Sequence, residues 1–363
     1  MQRRITDGFS ILLPAADTIR LFGERLDLSR IAAVPQAHHR LRLILDLSAQ
    51  PDSDTPSVNE ITDREAAPYS LQFSQTFPRI LQAVWEADPV QSPVRVSKLD
   101  VTDAYHRGTV NPAQVGTFAY IIPLAPGDKG KIICIDLVQL MEWVESPKFF
   151  CAFSETLIDV ANALVDTDLP VPSYGAISEI PATGSGPPHT PESLTHIDCY
   201  MDDVISAVQG VPDCQHRVFG GTVCALKWIF LSLPGELKDP VSLKKPVAGE
   251  GDWTLVKEVL WWILNTEAGT VTLPERKIEE LLTLVDIPAT QRRMGQKDLE
   301  RLVGKLRFMH LAVPGAVAHL FHIQRALNQG GVDRAWLSPD FHQELSDWKV
   351  LALQAASRLT HLA

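Results

Sequence analysis

The chain has 363 residues, 45% hydrophobic and 21% charged, with a formal net charge of −11. These are the proportions of an ordinary soluble globular protein with length for two or three subdomains. No stretch approaches the roughly 18 uninterrupted apolar residues of a membrane helix, and the short apolar run after Arg3-Arg4 is broken by Pro14 and Asp17, so no membrane association and no signal peptide are expected. Five cysteines (134, 151, 199, 214 and 224), an odd number without a C-x-x-C pair, argue for free thiols in a reducing, intracellular setting, cytoplasmic or nuclear. The acidic total runs against a nucleic-acid binder, but the charge is uneven. Residues 291–325 carry seven basic side chains, Arg292, Arg293, Lys297, Arg301, Lys305, Arg307 and Arg325, against Asp298 and Glu300, and residues 1–50 are mildly basic. An acidic centre between basic flanks suits a metal-binding cleft between surfaces that grip phosphates.

In chain order, residues 40–47 (RLRLILDL) read as a strand, followed by a Pro-, Ser- and Asp-rich loop to Ala67. Residues 94–101 (VRVSKLDV) predict a second strand ending on Asp100. Ser146-Pro147 reads as a cap and first helical position, and Phe150, Phe153, Leu157, Ala161 and Leu164 predict an amphipathic helix over 147–164. Residues 169–191, rich in Pro, Gly, Ser and Thr, read as a flexible insertion. Residues 195–208 predict two short strands with Asp202-Asp203 at the tip, and 258–273 a second hairpin turning at Glu267-Ala268-Gly269. The last third is helical, with Leu299, Leu302, Leu306 and Met309 on one stripe and Leu320, Gln324 and Leu327 on another.

Two acidic positions, each at a strand end, carry the chemistry. Asp100 closes one strand, and Asp202-Asp203 stands at a hairpin tip. Adjacent aspartates at a tip repel each other and offer hard oxygen ligands suited to Mg²⁺ or Mn²⁺. Two such ions about 3.5–4 Å apart activate an attacking hydroxyl and neutralise a departing pyrophosphate. A lone Asp-Asp in a turn is ordinarily a solvated turn; its coincidence with an Asp-x-x-x-Ala-Tyr strand end is what gives it meaning. His38-His39 and His319-x-x-His322 lack a cysteine or carboxylate at ligand spacing and read as surface or groove histidines.

Over residues 38–327 the order of motifs resembles the reverse transcriptases of retrotransposons. Tyr200-Met201-Asp202-Asp203 is similar to that family's Y-x-D-D, and Leu99-Asp100-Val101-Thr102-Asp103-Ala104-Tyr105 to its first metal-binding motif. The resemblance implies an α+β right-hand polymerase: N-terminal region and fingers over 1–95, palm over 96–255, primer-grip hairpin and thumb-like helices over 256–335, and a C-terminal tether over 336–363. It implies an RNA-directed DNA polymerase that adds dNTPs to a primer 3′-end on an RNA or DNA template. Asp100, Asp202, Asp203 and the Val101 position would hold the metals. Arg42 would contact the triphosphate, Tyr105 would exclude the ribose 2′-hydroxyl beside Met201, and Lys244 or Lys245 would lie near the leaving pyrophosphate. RNase H, integrase or recombinase domains of a polyprotein are implied as further partners.

Three positions depart from the pattern. Glu142 and Trp261 stand where the family has glycine, and Asn265 where aspartate is frequent. Two rivals follow: a catalytically decayed or domesticated reverse-transcriptase-like nucleic-acid-binding protein, and an RNA-templated RNA polymerase.

Overall fold

The computed structural model describes residues 2–35, 41–52, 54–65, 71–88, 90–123, 130–165, 167, 193–210, 212–230, 239–242, 249–310, 315–329, 334–357 and 360–361. The expected insertion at 169–191 and both Lys244 and Lys245 lie outside them. The chain is a mixture of helices and small antiparallel sheets, as the α+β reading expects.

The central sheet is built from β4 (Arg95–Asp100), β7 (Thr195–Tyr200) and β8 (Asp203–Val208), in the order β4-β8-β7. Before it come β1 (Ser10–Pro14), β2 (Arg30–Pro35) and β3 (Leu41–Asp46), and between β4 and β7 lie β5 (Ala119–Ile121) and β6 (Ile132–Asp136). β2 pairs with β3, and β6 lies between β1 and β5. Beyond the central sheet run β9 (Val256–Val259), β10 (Trp262–Asn265) and β11 (Thr270–Thr272).

β8 alternates its side chains between two cores, the behaviour of a strand covered on both faces. Val204 and Val208 join Phe150, Leu157 and Ala161 of α5 (Ser146–Val165) and Val218 and Val223 of α6 (Pro212–Ile229), both numbered in a helix series that begins with α1 (Gln2–Thr6), α2 (Ala15–Phe22), α3 (Val58–Ile61) and α4 (Phe73–Glu86). Ile205 and Ala207 face the other way, into a core shared with Phe77 and Ile80 of α4 and with the C-terminal helices. α5 and α6 approach closely because Gly221 has no side chain. A Cβ there would sit 3.2 Å from the Ala161 carbonyl oxygen.

The helix over 146–165 appears where its periodicity places it, but Ser146 caps nothing. It is the first helical residue, fully buried, and its hydroxyl makes no hydrogen bond among the described residues. The Glu145 carbonyl accepts the first helical amides instead, from Lys148 and Phe149 at 3.0 and 3.1 Å. The second expected hairpin is a three-stranded meander, β9-β10-β11, with an additional tight turn at Leu260-Trp261. In the helix Phe321–Gln329 the buried positions are Ile323 and Ala326, while Leu320 and Leu327 are only half-buried and Gln324 is at the edge. The stretch expected as a tether is largely the helix Pro339–Ser357, whose Phe341, Leu345, Trp348 and Ala352 are buried in the larger core. Their apolar surface forces that helix inward rather than leaving it as a linker. All five cysteines are buried and none is in a disulfide, and no helix among the described residues is long and apolar enough to cross a membrane.

Candidate active site

Cross-strand pairing brings the three aspartates to one end of the central sheet. Asp100, the last residue of β4, stands opposite Asp203, the first of β8. The next amide along, from Val101, donates to the Asp202 carbonyl at 2.8 Å. The tip residue Met201 has φ 54°, a left-handed conformation that a non-glycine residue adopts only when its surroundings hold it there. The Cys199 thiol donates to the Met201 carbonyl at 3.0 Å. Burial pushes the Cys199 thiol well up, and Asp198, Asp202, Asp203 and Glu155 add to it.

From behind, α4 holds β7 in place. The Thr76 hydroxyl donates to the Cys199 carbonyl at 2.9 Å. The Arg79 guanidinium makes a two-pronged contact with the fully buried Asp198 at 2.6 and 2.7 Å and reaches Glu155 of α5 at 3.3 Å. Asn59 ties the N-terminal region to the 141–145 turn: its amide donates to the Ser48 hydroxyl and the Glu142 carbonyl, and its oxygen accepts from the Val144 amide at 3.0 Å.

The hairpin separates two cavities. One, of about 650 Å³, is lined by Val101, Asp103, Ala104, Tyr105, His106, Met141, Glu142, Met201 and Asp202, with Arg4 of α1 at its wall. The other, of about 570 Å³, is lined by Asp203, Lys98, Lys257, Glu258, Leu260 and Trp261. Both are in the size range of small-molecule sites. In the first, the buried Tyr105 hydroxyl lies 3.7 Å from the Met201 sulfur, and Tyr105 packs on Phe150 at 5.0 Å. Burial, then the charges of Asp202 and Tyr200, push the Tyr105 phenol up to about 12. Tyr105 therefore stays neutral at physiological pH. Arg4 pairs with Asp136 at 3.2 Å and meets His106 at 3.5 Å. Burial holds the Asp136 carboxyl above its usual range, against the pull of Arg4 and Ser10. In the second cavity, Lys98 binds Asp203 at 3.2 Å.

The expected residues fare differently. Asp100, Val101, Asp202, Asp203, Tyr105 and Met201 are brought together. Arg42 lies in β3, and its side chain is outside the described residues. Lys244 and Lys245 follow a described segment that runs beside the site, since the Ser242 amide donates to the Asp100 carbonyl at 3.0 Å. Among the described residues no group of three or more His, Cys, Asp or Glu stands close enough together to hold a metal ion as a set. His319 and His322 pair with different acids, Asp347 at 3.1 Å and Asp340 at 3.9 Å, as groove histidines do. Arg4, Arg79, Lys98, Asp136 and Asp198 were not singled out by sequence reasoning. Lys98 had a local signal, standing two residues before Asp100 on the same strand face.

The glycine departures have different physical meanings. Glu142 is not among the left-handed residues described, so its backbone does not require glycine; its cost is a carboxylate in the first cavity. Trp261 has φ 74° and Leu260 φ 49°, the left-handed pair of a tight β-turn that favours Asn-Gly. The Trp261 ring, half-exposed, lies 4.7 Å from the Lys277 ammonium and 5.6 Å from the Arg276 guanidinium. Left-handed strain at a side-chain-bearing residue costs about 1–2 kcal/mol, and exposed cation–π contacts return about 0.5–1 kcal/mol each. The two nearly cancel. Trp261→Gly is expected to unfold within about 1 kcal/mol of the parent, while Trp261→Ala, which keeps the strain and loses the ring, falls about 1 kcal/mol below Trp261→Gly. Urea denaturation of the three proteins checks that order.

No protein-family model and no curated protein sequence matches the chain. Among solved structures it is similar to the foamy viral protease–reverse transcriptase in complex with double-stranded DNA. In one such structure the TM-score is 0.56 at 12% identity, over 99% of this chain and 47% of that one. In a second it is 0.54 at 12% identity, over 99% and 56%. The fold is reverse-transcriptase-like. The chain spans about half the length of the reverse-transcriptase chains it matches.

Proposed function

We propose that this chain is the polymerase portion of a retrotransposon-type reverse transcriptase, with fingers, palm and thumb-like parts in chain order, adding deoxynucleotides to a primer 3′-end on an RNA or DNA template. The observation that carries the reading is the division of the carboxylates between two cavities. Asp202 faces the one that holds Tyr105, and Asp203 the one that holds Trp261 and two lysines. A polymerase needs two such chambers, one for the incoming nucleotide and one for the primer end, meeting at the reacting atoms. The fold likeness supports a nucleic-acid partner, because the similar foamy viral structures were solved with double-stranded DNA and with an RNA/DNA hybrid.

The donor set fits a hard divalent cation, Mg²⁺ or Mn²⁺. Asp100 and Asp202, with the Val101 carbonyl, would hold it, and Asp203, already engaged by Lys98, is auxiliary. When bound, such ions lower the pKa of the primer 3′-hydroxyl and neutralise charge on the leaving pyrophosphate. The chain's own residues do the positioning. Tyr105 closes the sugar position, the Asp103-Ala104 backbone and the Arg4–His106 pair line the wall available to a triphosphate, and Lys98 and Lys257 face the primer side. Arg42, Lys244 and Lys245 belong to the same proposal as further triphosphate and pyrophosphate contacts.

Glu142 favours the rival reading of a decayed copy, since it adds a carboxylate to the nucleotide chamber. Primer extension with Mg²⁺ or Mn²⁺ decides between them: no incorporation by a chain that still binds template-primer overturns the polymerase. The same assay tests the gate. Tyr105→Ala is expected to raise ribonucleotide use relative to deoxynucleotide use by up to roughly 100-fold, the scale on which an apolar pocket discriminates one hydroxyl. An unchanged ratio refutes that role, and a parent enzyme preferring ribonucleotides establishes an RNA polymerase instead.

A further inference from the structure

Two of the basic residues of the C-terminal third, Arg293 and Arg325, lie beside an exposed tryptophan, Trp336. A two-stranded ribbon pairs Arg293–Gly295 with Arg334–Trp336, in the register Arg293↔Trp336 and Gly295↔Arg334. Met294 and Ala335 point inward and are buried, so Arg293, Arg334 and Trp336 share the outward face. Trp336 is 58% exposed, with the Arg293 guanidinium 5.9 Å from its ring centre. Beside it opens a cavity of about 340 Å³, lined by His322, Arg325, Gln329, Trp336, Ser338 and Asp340. Asp340 is the one acid at this rim among the described lining residues, and it leans towards His322 at 3.9 Å. Arg293, Arg325 and Arg334 form no ion pair among the described residues. In a chain of net charge −11, three arginines gathered around an exposed indole repel one another and leave a large apolar ring in water.

We propose that this patch binds a single-stranded segment of nucleic acid, one base stacked on Trp336 and the neighbouring phosphates held by Arg293, Arg325 and Arg334. A ligand that relieves both costs must carry a π-face and closely spaced negative charge. A single strand offers both, whereas a duplex keeps its bases stacked and presents phosphates alone. The site lies outside both cavities of the catalytic hairpin, and the inference does not depend on the polymerase reading.

Binding of a short fluorescent single-stranded oligonucleotide, followed by anisotropy, tests it. Trp336→Ala is expected to weaken binding roughly 5- to 100-fold, while Trp336→Phe stays within a few-fold of the parent. Duplex binding is expected to be the same for Trp336→Ala and the parent. Replacing Arg325 or Arg334 by Ala lowers the salt slope of single-strand binding by about one unit or less each. An oligonucleotide carrying 5-iodouracil is expected to photocross-link to Trp336. Folded Trp336→Ala that binds the single strand as the parent does, or weakens duplex binding equally, overturns the assignment. If Trp336→Ala does not fold, the arginine variants and the cross-link decide: an unchanged salt slope together with cross-links confined to the catalytic cavities overturns it.

Discussion

Asp202→Asn is expected to reduce primer extension by roughly 10³-fold or more, with no loss of folding stability. The scale is that of removing a preorganised charge from a site whose proposed catalysis is positioning and charge neutralisation. The stability half of the result follows from repulsion. Asp202 lies among Asp198, Asp203 and Glu155, whose charges add to the effect of burial in raising the Cys199 thiol, so removing one charge from the tip lessens the mutual repulsion. The change is expected within about 0.5 kcal/mol, or slightly stabilising. Asp203→Asn separates the two carboxylates. It strips Lys98 of its partner at 3.2 Å, so it is expected to cost more stability and less activity than Asp202→Asn. Primer extension and urea denaturation on both variants provide the comparison. Equal extension by Asp202→Asn and the parent would remove the catalytic assignment.

Arg79→Ala is expected to destabilise the chain by about 3 kcal/mol, the lower end of the cost of breaking a buried ion pair. Asp198 is fully buried and would keep only His196, at 3.6 Å, and the Cys199 amide, at 2.7 Å. Arg79 itself is about a third exposed, which places the cost at the lower end. The double variant Arg79→Ala/Asp198→Asn is expected to recover part of the loss, because the charge left without a partner is gone. The pH dependence has a definite sign. Burial raises the Asp198 carboxyl, but His196, Arg79 and the Cys199 amide together hold it below its usual value. A carboxyl depressed in the folded state stabilises above its unfolded pKa of about 4 and loses that contribution as pH falls through the folded value. The gap between parent and Arg79→Ala is therefore full at pH 7 and closes below about pH 4. Denaturation midpoints measured across that range would show it; a gap independent of pH would assign Arg79 a packing role only. Since β7 carries the hairpin, extension activity is expected to fall with the stability.

Much of the local structure is legible in the chain because it depends on near neighbours. Alternation predicts β4 and the 195–208 hairpin, and the 3.6-residue period predicts a helix over 147–164, found at Ser146–Val165, and the stripe Leu299, Leu302, Leu306 and Met309, buried in the helix Gln296–Met309. Reading failed where a local signal had a non-local answer. Ser146 looks like a cap but is buried among tertiary neighbours, and Pro339–Ser357 looks like a linker until Phe341 and Trp348 find the core. The added turn at Leu260-Trp261 was missed because nothing in Leu-Trp-Trp announces two left-handed residues.

The sequence by itself determined the acidic residues of the site, the strand end at Asp100 and the tip at Asp202-Asp203, since periodicity and spacing along a strand are properties of consecutive residues. Only the tertiary structure decided what surrounds them. Arg79 meets Asp198 across 119 positions and Arg4 meets His106 across 102, and no pattern in consecutive residues encodes such pairs. It also decided that the two aspartates of the tip face different cavities and that Arg293 and Arg325, from distant parts of the chain, lie beside Trp336. Cavities and charge patches are made by chain crossings, and their members become neighbours only when the core closes.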